Sequence, residues 1–120
     1  LIPGHTPGAL GFVFDVADGR QTHRAAIFGG SILTSNRISA DGLRQYMQSV
    51  ERFAAVTKRL GVDVEIQNHP MYDGFLAKLE RLKGRKPGAP NPFVVGSDSY
   101  QRFVSVMSGC TKAQLARRKG

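Results

Sequence analysis

The sequence predicts an α+β fold, with helices packed on a sheet, and three observations carry that prediction. Two runs rich in β-formers, Ala9 to Val16 and Gln21 to Phe28, flank the turn cluster Ala17-Asp-Gly-Arg20, a short-range hairpin signal. From Ser39 to Leu60 the apolar spacing changes to a period of about 3.6, with Leu43, Tyr46, Met47, Val50, Phe53, Ala54 and Leu60 on one stripe. A short alternating segment, Val62 to Gln67, then separates this helix from two further helical patterns. The predicted order is strand, strand, helix, strand, helix, loop, helix.

Each element has its own local reason. The chain opens on the loop Leu1-Ile-Pro-Gly-His-Thr-Pro-Gly8, and the second strand stops at Gly29-Gly30-Ser31, where paired glycines permit backbone geometry that a side chain would forbid. Asp41 is the expected N-cap of the first helix and Gly61 its C′ residue. The third strand leads into Asn68-His69-Pro70, and the proline prevents its continuation as a central strand. A second helix is expected from about Asp73 to Lys83, with Phe75, Leu76, Leu79 and Leu82 on its apolar side. The stretch from Gly84 to Pro92 carries three prolines and two glycines and is expected to be a surface connection. The last helix should start near Ser97 or Asp98 and run past Tyr100, Phe103, Val104 and Met107 towards Ala116. Its basic end, Arg117-Arg-Lys-Gly120, suits a helix C-terminus.

Composition narrows the function classes. The 120 residues are 41% hydrophobic and 22% charged, which fits a chain with a packed core, and the length allows one domain or part of one. No apolar run approaches the roughly 18 to 20 residues that span a bilayer. A single cysteine, Cys110, excludes an internal disulfide. The start at Leu1, without a charged-then-apolar leader, reads as a fragment or a processed product, with residues 1–120 forming a single partial domain.

The three histidines are the candidates for chemistry. His5 lies in Gly4-His-Thr-Pro-Gly8, a loop that presents an imidazole rigidly while the backbone approaches closely, as a metal ligand requires; the alternative is a loop histidine bonded to a carbonyl. His69 lies at the expected C-terminal end of a strand, where sites in α/β sheets gather. His23 falls inside the second strand, is expected to face solvent, and is given no role.

Taken in register, these motifs resemble a known family. The Gly-His-Thr-Pro-Gly loop, the strand ending in Gly29-Gly-Ser31, the helix, and the strand ending in His69-Pro70 resemble the C-terminal half of the metallo-β-lactamase superfamily. The tail Asn91-Pro-Phe-Val-Val-Gly96 is similar to a branch close to subclass B3. The fold this implies is the C-terminal half of an αββα sandwich, a mixed sheet with packed helices. The resemblance implies two zinc ions in a complete site, with His5 a ligand of the first and His69 of the second. The other ligands come from a His-x-His-x-Asp-His motif that these 120 residues do not contain. Ser31 takes a position that is a metal-binding cysteine or aspartate in other branches. A hydroxyl is a poor zinc ligand by comparison, which favours a second site of the subclass B3 kind; the resemblance to that subclass then implies that Ser31 contacts substrate rather than metal, with Gly29 and Gly30 leaving room at the strand end and Asn68 orienting the ligand loop. Two residues on, Leu33 replaces a serine that some subclass B3 enzymes use for a substrate carboxylate, and Val62 replaces a cysteine, leaving Cys110 free. The resemblance further implies metal-assisted opening of a β-lactam-type cyclic amide, a small-molecule substrate, and a periplasmic or secreted parent.

Two other function classes remain open. A formal net charge of +8, with Lys78, Arg81, Lys83, Arg85 and Lys86 on one helix and its exit, could serve nucleic acid. That reading is disfavoured, because no stacking aromatics interleave with the basic residues. The chain could instead be a catalytically inert half-domain that associates through an exposed sheet edge, including as a homo-oligomer that pairs two sets of His5 and His69.

Overall fold

A computed structural model describes residues 1–33 and 37–118 of the chain. Its elements are β1 (Gly11–Asp18), β2 (Gln21–Phe28), α1 (Ala40–Arg59), β3 (Val64–Ile66), α2 (Phe75–Lys83) and α3 (Ser97–Arg117). The order matches the sequence expectation, with boundaries moved by local chemistry. The basic end of α3 is seen as far as Arg118; Lys119 and Gly120 lie outside the described residues.

β1 and β2 form an antiparallel hairpin in which Asp18 faces Gln21, so the connection is the two-residue loop Gly19-Arg20. β3 adds in parallel on the far side of β2, Ala25 facing Val64 and Ile27 facing Ile66, which gives the mixed sheet order β1-β2-β3. An isolated antiparallel bridge from Val64 to Val94 covers part of the outer edge of β3.

α1 is capped by Ser39, whose Oγ accepts the Gly42 N–H at 3.0 Å; the expected cap, Asp41, sits instead in the first turn, where its charge suits the helix dipole. Gly61 takes the C′ position as expected, and its N–H donates to the Lys58 carbonyl at 3.2 Å. α2 begins at Phe75, two residues later than the apolar pattern suggests, because the Asp73 carboxylate turns back to accept the Phe75 N–H at 2.9 Å.

One face of the sheet is closed by α1 and α3. Phe28 meets Tyr46 and Phe53 edge-on, with ring centroids 5.5 and 5.3 Å away, and Val50, Val62, Tyr100, Val104 and Met107 complete a contiguous buried cluster with Ile2 and Ala26. Gly11 lets Phe53 lie against the strand, since a Cβ there would come within 2.7 Å of the ring. Thr57 and Thr111 are buried within α1 and α3, and each satisfies its hydroxyl on a carbonyl one turn back, at 2.8 Å.

The other face of the sheet is also apolar. Leu10 and, on β1, Phe12 and Phe14 share it and are 47%, 53% and 39% exposed, next to Ile27 and Ile66. At the β3 side Phe75 and Phe93, with centroids 5.7 Å apart, border a crevice floored by Val16, Val64 and Ile66. A sheet with one wetted face alternates apolar and polar residues, whereas a sheet buried on both sides reads as a continuous apolar run. β1 is of the second kind over Gly11 to Val16, Asp15 apart.

Candidate functional site

The segments that carry the candidate residues meet at the ends of β2 and β3 distant from the hairpin turn. The His5 loop closes on itself through the Ile2 N–H to the Ala9 carbonyl at 2.8 Å. It is pinned to α1 by the Ser49 hydroxyl, which donates to the Pro3 carbonyl at 2.8 Å, and by Arg52, which donates to the Leu1 carbonyl at 2.8 Å. Gly4 (φ 133°) presses on the α1 backbone so closely that a Cβ would sit 2.3 Å from the Tyr46 Cα. The loop path is therefore fixed by packing.

The His5 ring lies against Gly30. A Cβ on Gly30, which has φ 85°, would fall 2.5 Å from the His5 Cβ and Cγ, so the space left by this glycine is taken by His5 itself. Gly29 is held in the same way, its absent side chain making way for the Leu10 carbonyl. The two glycines thus seat the histidine loop on the end of β2.

Ser31, the next residue, ties β2 to β3. Its hydroxyl donates to the side-chain oxygen Oε1 of Gln67, while the side-chain Nε2 of Gln67 donates to the Glu65 carboxylate. The Ser31 carbonyl accepts the Tyr46 hydroxyl at 3.3 Å. Glu65 is half-buried, and the burial raises its carboxyl above the usual range against the opposing pull of Gln67 and Lys78. Gln67 leads directly into Asn68 and His69, both exposed; the His69 ring meets Tyr72 edge-on at 6.2 Å and its carbonyl accepts the Tyr72 N–H at 3.0 Å.

The structure thus joins Gly30 to His5 and Ser31 to the strand that delivers His69. The His5 Nδ1 is enclosed with no hydrogen-bond partner, and a neutral imidazole nitrogen is a good zinc donor. Among the described residues, however, no group of three or more His, Cys, Asp or Glu side chains is placed to hold a metal ion. The donors fit zinc in kind but fall short in number.

His23 corrects the sequence reading. It does not face solvent: its Nδ1 lies 2.6 Å from Asp63 Oδ2, and Asp63 Oδ1 accepts the Arg24 N–H at 3.0 Å. This clasp ties β2 to the approach to β3 at the end of the sheet away from His5. Near it, Arg85 pairs with Asp18 at 2.6 Å and holds that carboxyl below its ordinary range. The basic cluster around α2 is reduced accordingly. Lys78 is buried, 3.9 Å from Asp73 and over the Phe93 ring, and Lys83 pairs with Glu80 at 2.8 Å. Cys110 is a free, exposed thiol on α3.

A mixed sheet closed by helices on one face, apolar on the other and bearing histidine loops at its strand ends is the plan of half an αββα metallo-hydrolase sandwich. Solved structures make the likeness specific. BJP-1, a subclass B3 metallo-β-lactamase of Bradyrhizobium japonicum, is 26% identical over 98% of this chain and 44% of its own, with a TM-score of 0.75. Rm3 metallo-β-lactamase is 18% identical over 99% of this chain and 44% of its own, with a TM-score of 0.68. The class B3 di-zinc enzyme LRA-12, from an Alaskan soil metagenome, is 21% identical over 95% of this chain and 42% of its own, with a TM-score of 0.62. The chain therefore resembles the C-terminal half of a subclass B3 metallo-β-lactamase and spans less than half the length of these structures. No family model and no curated protein matches the sequence.

Proposed function

We propose that this chain is the C-terminal part of a zinc-dependent hydrolase that opens a β-lactam-type cyclic amide. His5 and His69 are its metal ligands and Ser31 forms its substrate side, while Gly30, expected from the sequence to leave room for substrate, instead seats the His5 ring. The observation that carries the reading is the convergence at the strand ends, where Gly30 seats the His5 ring and Ser31 is bonded to the segment leading to His69, in a fold shared with BJP-1 over 98% of the chain. Zinc in such a site lowers the pKa of bound water to about 7 and polarises the carbonyl under attack. His5 would hold one zinc and His69 the other, and Ser31 would orient the substrate; among the described residues no group of three or more ligand-type side chains completes either site. A periplasmic or secreted parent belongs to the same proposal, and no helix among the described residues is long and apolar enough to cross a membrane.

Calorimetric zinc titration of the chain, with His5→Ala and His69→Ala controls and nitrocefin turnover on the same sample, tests the reading. Binding lost in both variants supports the ligand assignment. Binding that survives both overturns it.

A second reading, an association module without catalysis of its own, is favoured by one observation: the exposed apolar face of Leu10, Phe12 and Phe14. A homo-oligomer formed through the edge of β1 belongs to that reading, and sedimentation of the chain with and without Phe12→Ser separates it from a monomer.

A further inference from the structure

The chain of hydrogen bonds from Glu65 through Gln67 to Ser31 is ordered, and its order has a chemical consequence. An ionised carboxylate can only accept, so Gln67 must turn its NH2 towards Glu65. That leaves the Gln67 carbonyl oxygen facing Ser31, and the serine must spend its one proton there. What Ser31 Oγ then offers to anything beside it is lone pairs. Leu33, two residues on, adds no donor.

We propose that Glu65, acting through Gln67, fixes Ser31 as a hydrogen-bond acceptor, so that this position takes a ligand group bearing an N–H or O–H in preference to a carboxylate. The assignment rests on the proposed site insofar as Ser31 faces substrate, and it deepens that reading by naming the ligand chemistry. Gln67 and Glu65 are positioning residues, since they act on the ligand only through Ser31.

The relay is reversible by one proton. A protonated Glu65 donates to the Gln67 oxygen, the amide turns over, its NH2 donates to Ser31 Oγ, and the serine proton is freed for an acceptor such as a carboxylate. The groups facing Glu65 are Lys78 of α2, Asp73 of the turn before α2, and Tyr100 of α3. Of these, Lys78 favours the ionised form, while Asp73 and the burial of the site favour the protonated one.

Nuclear magnetic resonance of the labelled 120-residue chain tests this without zinc or turnover, so a failed zinc titration leaves it intact. The Gln67 side-chain amide and the Ser31 Cβ should shift with the midpoint of the Glu65 Cδ titration. Glu65→Gln should abolish both shifts, and Gln67→Leu should silence Ser31 while Glu65 still titrates. A Ser31 resonance that ignores Glu65 in the native chain, or follows it in Gln67→Leu, overturns the relay. For the ligand class, acetate added at neutral pH should move Ser31 more in Gln67→Leu than in the native chain. An equal response, including none, overturns that part.

Discussion

The two faces of one small sheet differ more than their sequences suggest. On the helix side, Ala26 and Phe28 are buried under Tyr46, Val50 and Phe53, and the α1 and α3 hydroxyls of Thr57 and Thr111 find carbonyls within their own helices. On the outer side, Phe12 and Phe14 of the same β1 strand stand 53% and 39% exposed. The helix side is a finished core. The outer side is covered only at β3, where Phe75 and Phe93 lie over Val64, and is open among the described residues over β1; the strand-end site has ligand-type residues without a full set. Both shortfalls match a chain that spans 44% of BJP-1. Packing closed within a chain fixes its fold, whereas an open apolar surface carries composition without that constraint.

The finished side should be the sensitive one. Phe53→Ala removes a ring packed on Phe28 and Gly11 and should cost about 3–5 kcal/mol, read by denaturant unfolding; a cost below 1 would mean the core is not closed there. Gly4→Ala forces a Cβ into the α1 backbone and should cost about 1–3 kcal/mol while shifting the His5 ring resonances, because the loop must leave Tyr46. By contrast, Phe12→Ser removes a ring that is 53% exposed and should change stability by no more than about 0.5 kcal/mol, read by denaturant unfolding.

The smallest effect concerns the far end of the sheet. Arg85 lowers the Asp18 pKa in the folded chain, so the stabilisation is present above the unfolded value of 3.8 and is lost as pH falls through the lower folded value. Thermal melts of Asp18→Asn should therefore lack part of the native chain's acid-side decline. Identical declines would show that the pair does no work. Glu65 runs the other way: burial raises its folded pKa, so its ionised form opposes folding at high pH and the penalty disappears as pH falls through the raised value.

What could be read in the sequence was local. The hairpin, α1 and α3 follow from turn residues, apolar period and caps that lie within a few positions of one another. The boundaries slipped where two residues of one type competed, as Ser39 and Asp41 did for the α1 cap, or where a side chain intervened, as Asp73 does before α2. The His5, Ser31 and His69 candidates were legible through a resemblance carried by motifs in register. The links between them were not. His23 to Asp63 spans 40 positions and Ser31 to Gln67 spans 36, and no periodicity encodes such pairs. Gly30 was legible as an opening, but only packing shows that His5 fills it. Glu65 carried no distinguishing signal, because it takes a regular polar position, between Asp63 and Gln67, in the Val62 to Gln67 alternation.

The most direct test of the ligand assignment, His5 to one metal ion and His69 to a second at the ends of β2 and β3, is addition of Co2+ to the isotope-labelled chain. The expected result is broadening both at His5 with Gly30 and at His69 with Tyr72, lost around Gly30 in His5→Ala and around Tyr72 in His69→Ala. Broadening at only one histidine, or spread over the exposed carboxylates instead, would contradict it.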